Sequence, residues 1–292
     1  MSVRHALAAL LLGVAAYPAA AQDAQSLIAK NLEARGGGAA VEALKSISFE
    51  GRTIFPGDFE LSYKEVRKRV GTKSAVRYDL GLQGLDVVQS YDGTGAWKIN
   101  PFQGRKDPER MSADEARQFA DEGLVEGPLL ASRTDGSQVQ YLGREDFDGT
   151  LAYKLRVTQK DGDEFTYWLD PDTYLEIKVD EMRRIRGAQQ TTETELGDYE
   201  KVAGVYYPMS IESWPQGSPN QRQRVLIATA QANPPVEGSF FSQPGGPATL
   251  AKASPAPPDA SMKPQGKPGT KKPTAGNKEP PVSPTKPPKG SK

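Results

Sequence analysis

Catalysis needs nucleophiles, proton donors and acceptors, or metal ligands, and this chain holds few of them. Its 292 residues include no cysteine and a single histidine, His5. Disulfides, thiol nucleophiles and cysteine metal sites are excluded by that count. His5 lies in a segment expected to be removed, so imidazole acid–base chemistry, His-metal sites and Ser-His-Asp catalysis are excluded from the mature form. Carboxylates can act in pairs. Here Asp86, Asp92, Asp170 and Asp172 fall in turn or strand-edge sequence, where short acidic side chains ordinarily cap backbone N–H groups. Arg183, Arg184 and Arg186 form a basic cluster that reads more simply as a solvated strand than as an anion site. Gly36-Gly37-Gly38 follows a helix and lacks the lysine of a phosphate loop. No enzymatic activity, cofactor or metal is expected.

Binding by apolar surface remains. Leu155, Val157, Tyr167, Leu169, Ile177 and Val179 fall in adjacent strand-like segments with matching parity, so they are expected to project to one side of a sheet. Trp97 and Ile99, after an Asp-Gly turn, share parity with each other and are expected to join them. These eight residues are the candidate lining of a hydrophobic cavity.

The elements that must position them alternate with period two. Ile47 and Phe49 alternate with Ser48 and Glu50; Phe59, Leu61 and Tyr63 with Glu60, Ser62 and Lys64; Leu155 and Val157 with Lys154 and Arg156. Segments around 76–82, 175–179 and 225–229 continue the series. Such alternation marks antiparallel strands with one apolar face. Asp92-Gly93-Thr94-Gly95, Asp161-Gly162-Asp163 and Asp170-Pro171-Asp172 supply hairpin turns. Helices are expected over 25–35, 39–45 and 112–122, the last opened by a Ser112/Glu115 capping box, with a further helical excursion over 124–132. The fold class is therefore α+β, a large curved antiparallel sheet with a few helices. So few helices cannot cover the apolar face densely, which leaves room for a ligand cavity, although a packed core is the commoner outcome.

The two ends differ from this body. Arg4, the apolar run from Ala6 to Ala16 and Ala19-Ala20-Ala21 form the pattern of a cleaved export signal over 1–21, too short for the roughly 20 apolar residues of a membrane span. Export to the periplasm follows from that reading. From 251 to 292 the chain is rich in Pro and Lys without an aromatic residue, a composition expected to stay disordered. The whole chain has 37 basic and 37 acidic residues. Arg4 and the nine lysines and two acids of 251–292 leave 27 basic and 35 acidic residues in 22–250, a net of −8. An acidic body argues against nucleic-acid binding. The basic tail reads either as a tether to anionic membrane or cell wall or as a solubilising linker. The 22–250 body is expected to be one domain and a monomer.

Three stretches resemble the periplasmic lipoprotein-carrier superfamily, the LolA/LolB-like domain. They are Ser90 to Phe102 around the Asp92-Gly93 turn, Leu196 to Pro208, and Phe240-Phe241-Ser242-Gln243-Pro244. The resemblance implies an incomplete β-barrel with helices as a lid over an apolar cavity that receives the acyl chains of lipoproteins or related lipids. It also points to Arg67 as a cargo-gating residue, although the proline that follows the equivalent basic residue in carriers is Lys68 here, and Arg67 reads equally as a solvated strand edge. The alternative to a carrier is an envelope structural or sensor domain of the same fold that binds another protein.

Overall fold

The computed structural model describes residues 17–244; the first 16 residues of the expected export signal, and the tail from 251, lie outside them. A helix, α1 (Tyr17–Ala34), opens the described part, and a short α2 (Gly38–Ala43) follows. Between them Gly36 has φ +123°, and a Cβ there would fall 2.0 Å from the Gly204 carbonyl oxygen. Only glycine allows the chain to turn and pass so close to that backbone.

Thirteen strands form one antiparallel sheet. The first meander is β1 (Ser46–Phe55), β2 (Phe59–Val70), β3 (Lys73–Leu82), β4 (Leu85–Tyr91), β5 (Ala96–Asn100) and β6 (Arg105–Arg110). Two helices intervene, α3 (Ala113–Glu122) and α4 (Pro128–Ala131). The second meander is β7 (Gln138–Phe147), β8 (Thr150–Thr158), β9 (Glu164–Leu169), β10 (Glu176–Ile185), β11 (Ala188–Val202), β12 (Val205–Pro215) and β13 (Gln223–Ala232). The strand order is β6-β5-β4-β3-β2-β1-β13-β12-β11-β10-β9-β8-β7. The first and last strands thus meet in the middle through β1 and β13, and β6 and β7 are left as the two edges.

That order decides where the lid lies. The chain leaves β6 at one edge and enters β7 at the other, so the connection carrying α3 and α4 must cross from edge to edge. The expected curved sheet with few helices is therefore present as an unclosed barrel. Bulges at Glu50/Gly51 and Glu176/Lys178 bend the strands. At the first, a Cβ on Gly51 would meet the Leu226 carbonyl oxygen at 2.0 Å, which explains the glycine.

The core divides in two. Leu27 and Ile28 of α1 and Leu129 and Leu130 of α4 pack on Leu155, Val157, Phe165 and Leu169. Val41 and Leu44, in and just after α2, pack with Ile47, Phe49, Val205 and Tyr207. A third, smaller cluster lies on the other face of the sheet, where Phe241 covers Val66 and Ala75.

Candidate functional site

Between the helices and the concave face lies a cavity of about 650 Å³. One wall is a cross-strand row. Phe49 pairs with Glu65, Glu65 with Tyr78, Tyr78 with Gln89 and Gln89 with Lys98. All five line the cavity. The opposite wall carries two further rows. Tyr167, Val179 and Thr194 form one, and Phe165, Glu181 and Thr192 the other.

Parity explains where the expected lining residues fall. Leu155 pairs with Tyr167 and Val157 with Phe165, so Leu155, Val157, Tyr167, Leu169 and Val179 share the concave face. Tyr167 and Val179 line the cavity. Leu155, Val157 and Leu169 are fully buried beneath α1 and α4, packed as core. Ile177 sits in the bulge between Glu176 and Lys178 and has no cross-strand partner. The extra residue shifts the phase, so Glu176 rather than Ile177 lines the cavity. Trp97 is one residue out of phase with Lys98. It lies on the convex face in the row of Val66, Arg77 and Ser90, where its indole N–H donates to the Phe241 carbonyl at 2.8 Å. Ile99, paired with Val88, shares the face of Trp97. The placement of Trp97 and Ile99 with the other six is thus corrected by the register of β4 and β5.

The cavity is amphipathic, not purely apolar. Arg67 lines it and is no solvated strand edge. Its Nε donates to Glu65, a side chain with 1 % exposure, and its guanidinium lies 5.8 Å from the Phe49 ring centre. Tyr63 donates to the second Glu65 oxygen at 2.5 Å. Arg35, just past α1, reaches Glu176 at 3.2 Å and donates to the Tyr206 carbonyl at 2.7 Å. Lys98 reaches Glu115 at 3.0 Å. The backbone N–H of Ser112, followed by the Lys98 contact, holds the Glu115 carboxyl down at about 2. Arg183, read from sequence as part of a solvated cluster, is buried. Its Nη1 lies 2.8 Å from both Asp121 and Asp163, and its Nη2 3.2 Å from Glu181. Arg184 and Arg186 are exposed.

Glu122, the last residue of α3, has no ion pair among the described residues. It accepts from Gln118 Nε2 at 2.8 Å. Burial first, then the charge of Glu181, pushes its carboxyl up to about 7. Sequence reading passed over Glu65, Glu122, Glu176 and Lys98. The signal available for Glu65 was its shared parity with Tyr63 and Arg67 on one strand. No comparable signal marks Glu122, because its burial depends on where the lid helix is laid.

No protein-family model matches the chain, and no curated protein matches it by sequence. Solved structures do. The chain superposes on an outer membrane lipoprotein-sorting protein domain from Vibrio parahaemolyticus with a TM-score of 0.53, at 16% identity over 76% of this chain and 97% of that one. It superposes on a LolA superfamily protein from Nitrosomonas europaea with a TM-score of 0.50, again at 16% identity, over 75% of this chain and 97% of that one. The open sheet with its crossing helices is thus a LolA-like fold, an incomplete β-barrel, as the three resembling stretches implied.

Proposed function

We propose that this protein is a periplasmic carrier or binding protein for acylated cargo, a lipoprotein or a lipid, whose apolar chain occupies the cavity. The observation that carries this reading is the cavity itself. An antiparallel sheet with so much apolar concave surface would ordinarily be filled by side chains, and about 650 Å³ is left open instead. Phe49, Phe55, Leu80, Phe165, Val179 and Ile211 supply apolar wall, and the connection carrying α3 and α4 between the sheet edges supplies a cover that belongs to no strand pair. Arg67 stands at the wall beside the Leu124 carbonyl of that cover, 3.4 Å from its Nη1, a position suited to sensing whether the cover is closed.

The export-signal pattern supports the location, with cleavage after Ala21 as the start of a 22–250 domain, and the inventory of side chains supports a non-enzymatic role. The test is to purify the exported, full-length protein and identify bound lipid by mass spectrometry after solvent extraction. Stoichiometric acyl-bearing lipid or lipopeptide is the expected result. Protein free of lipid that also fails to bind the neutral apolar dye Nile red would favour the non-carrier reading, in which the unpaired edges β6 and β7 engage another protein.

A further inference from the structure

The charges around the cavity do not balance. Three of its cations are each matched: Arg35 by Glu176, Arg67 by Glu65 and Lys98 by Glu115. The remaining lining carboxylates are Asp121, Glu122 and Glu181. The cation beside them is Arg183, which also holds buried Asp163. Asp121, Asp163 and Glu181 therefore share one guanidinium, and Glu122 has no ion pair among the described residues. Asp121 and Glu122 also end α3, whose last turn carries no basic residue, so the negative end of the helix dipole adds to the same potential. These carboxylates are partly buried, and no cation other than Arg183 pairs with them among the described residues. Among the described residues no group of acidic side chains is arranged to hold a metal ion. A second observation concerns the polar part of the wall. Thr53 lines the same cavity at 2 % exposure, and its hydroxyl has no hydrogen-bond partner. Buried hydroxyls are ordinarily satisfied, so this one is free for a polar group of whatever fills the space.

We propose that the occupant is an amphiphile with a cationic, ammonium-type head group seated against Glu122 and Glu181, its apolar chain running along the aromatic and aliphatic walls. The inference rests on the carrier reading and sharpens it, since a fatty acid or another anionic head would add charge of the wrong sign. Glu122 accounts for the selectivity. A carboxyl that burial and the Glu181 charge hold up at about 7 gives up its proton more readily once an ammonium group sits beside it.

The experiment compares three probes of one chain length on the full-length exported protein: dodecylamine, dodecanol and dodecanoate, each displacing Nile red below its micellar concentration at pH 7. Dodecylamine is expected to bind at least about tenfold more tightly than the other two. In Glu122→Gln the preference for amine over alcohol is expected to fall about tenfold, and Glu181→Gln should lower it in the same direction. Calorimetry in two buffers of different ionisation enthalpy gives a second readout. Dodecylamine should release a fraction of a proton from the parent protein and less from Glu122→Gln, whose folding is checked by its melting curve. Equal affinities for the three probes, or tighter dodecanoate, would overturn the head-group assignment while leaving the carrier reading standing. Failure of Nile red and all three probes to bind would overturn both.

Discussion

Arg183 Nη1 lies 2.8 Å from Asp121 Oδ2, and this contact joins the helix that crosses the mouth of the barrel to the far wall. Both side chains are largely buried, and the same nitrogen also reaches Asp163. A guanidinium that holds three carboxylates cannot leave without stranding them.

Replacing Arg183 by Met is therefore expected to destabilise the fold by about 3–5 kcal/mol, the range for breaking a buried ion pair by removing one partner. Urea denaturation of the two proteins measures it. A loss under about 1 kcal/mol would mean that water reaches these carboxylates and screens them.

The pH dependence of stability should carry the signature of Glu122. Its carboxyl is raised in the folded state from an ordinary value of 4.5 to about 7. Between those values the folded protein binds more protons than the unfolded chain, so this group's contribution is fully present below about pH 4.5 and is lost as pH rises through about 7. Glu122→Gln removes that slope. Denaturation midpoints from pH 4 to 8 should fall more steeply for the parent than for the variant, and parallel curves would contradict the assignment.

Core and cavity should respond differently to truncation. Leu155 is fully buried beneath α1 and α4, so Leu155→Ala is expected to cost about 2–5 kcal/mol with little effect on Nile red affinity. Ile211 lines the cavity and is only partly buried. Ile211→Ala should cost less stability and weaken probe binding severalfold, at about 0.8 kcal/mol per methylene withdrawn from contact. The two measurements are made on the same pair of variants; equal destabilisation with unchanged probe affinity would place Ile211 in packed core.

On the convex face, the chain after β13 is fastened by Phe241, which is 1 % exposed and whose carbonyl accepts from Trp97 and Ser90. Phe241→Ala is expected to cost about 3–5 kcal/mol. Ending the chain at Leu250 keeps this anchor and should leave the melting temperature unchanged, since the sequence beyond is rich in Pro and Lys and has no aromatic residue. A fall of several degrees in the truncated protein would show that the tail packs on the domain.

The composition and patterning determined a good deal unaided. The absence of Cys and of His beyond His5 limits the available chemistry wherever the chain folds. Alternation with period two determined that the body is an antiparallel sheet, because a strand's side chains alternate whatever surrounds it. The Ser112/Glu115 capping box located the start of α3, since a cap is a local exchange of hydrogen bonds. Parity alone also placed Leu155, Val157, Tyr167, Leu169 and Val179 on one face.

Tertiary structure decided the rest. Which face is concave depends on strand order, so Trp97, out of phase with Lys98, could be assigned to a wall only once β4 and β5 were in register. Ile177 lost its inward position to Glu176 because a bulge inserts a residue, and a bulge is a property of two paired strands rather than of one. Glu122 and Glu181 are 59 positions apart in sequence and electrostatically coupled in space. Their coupling arises because β1 and β13 pair at the centre, leaving β6 and β7 as edges and drawing α3 across the gap between them. Local sequence sets the direction of each side chain, but long-range pairing sets what it faces, and a buried charge acquires its pKa from what it faces.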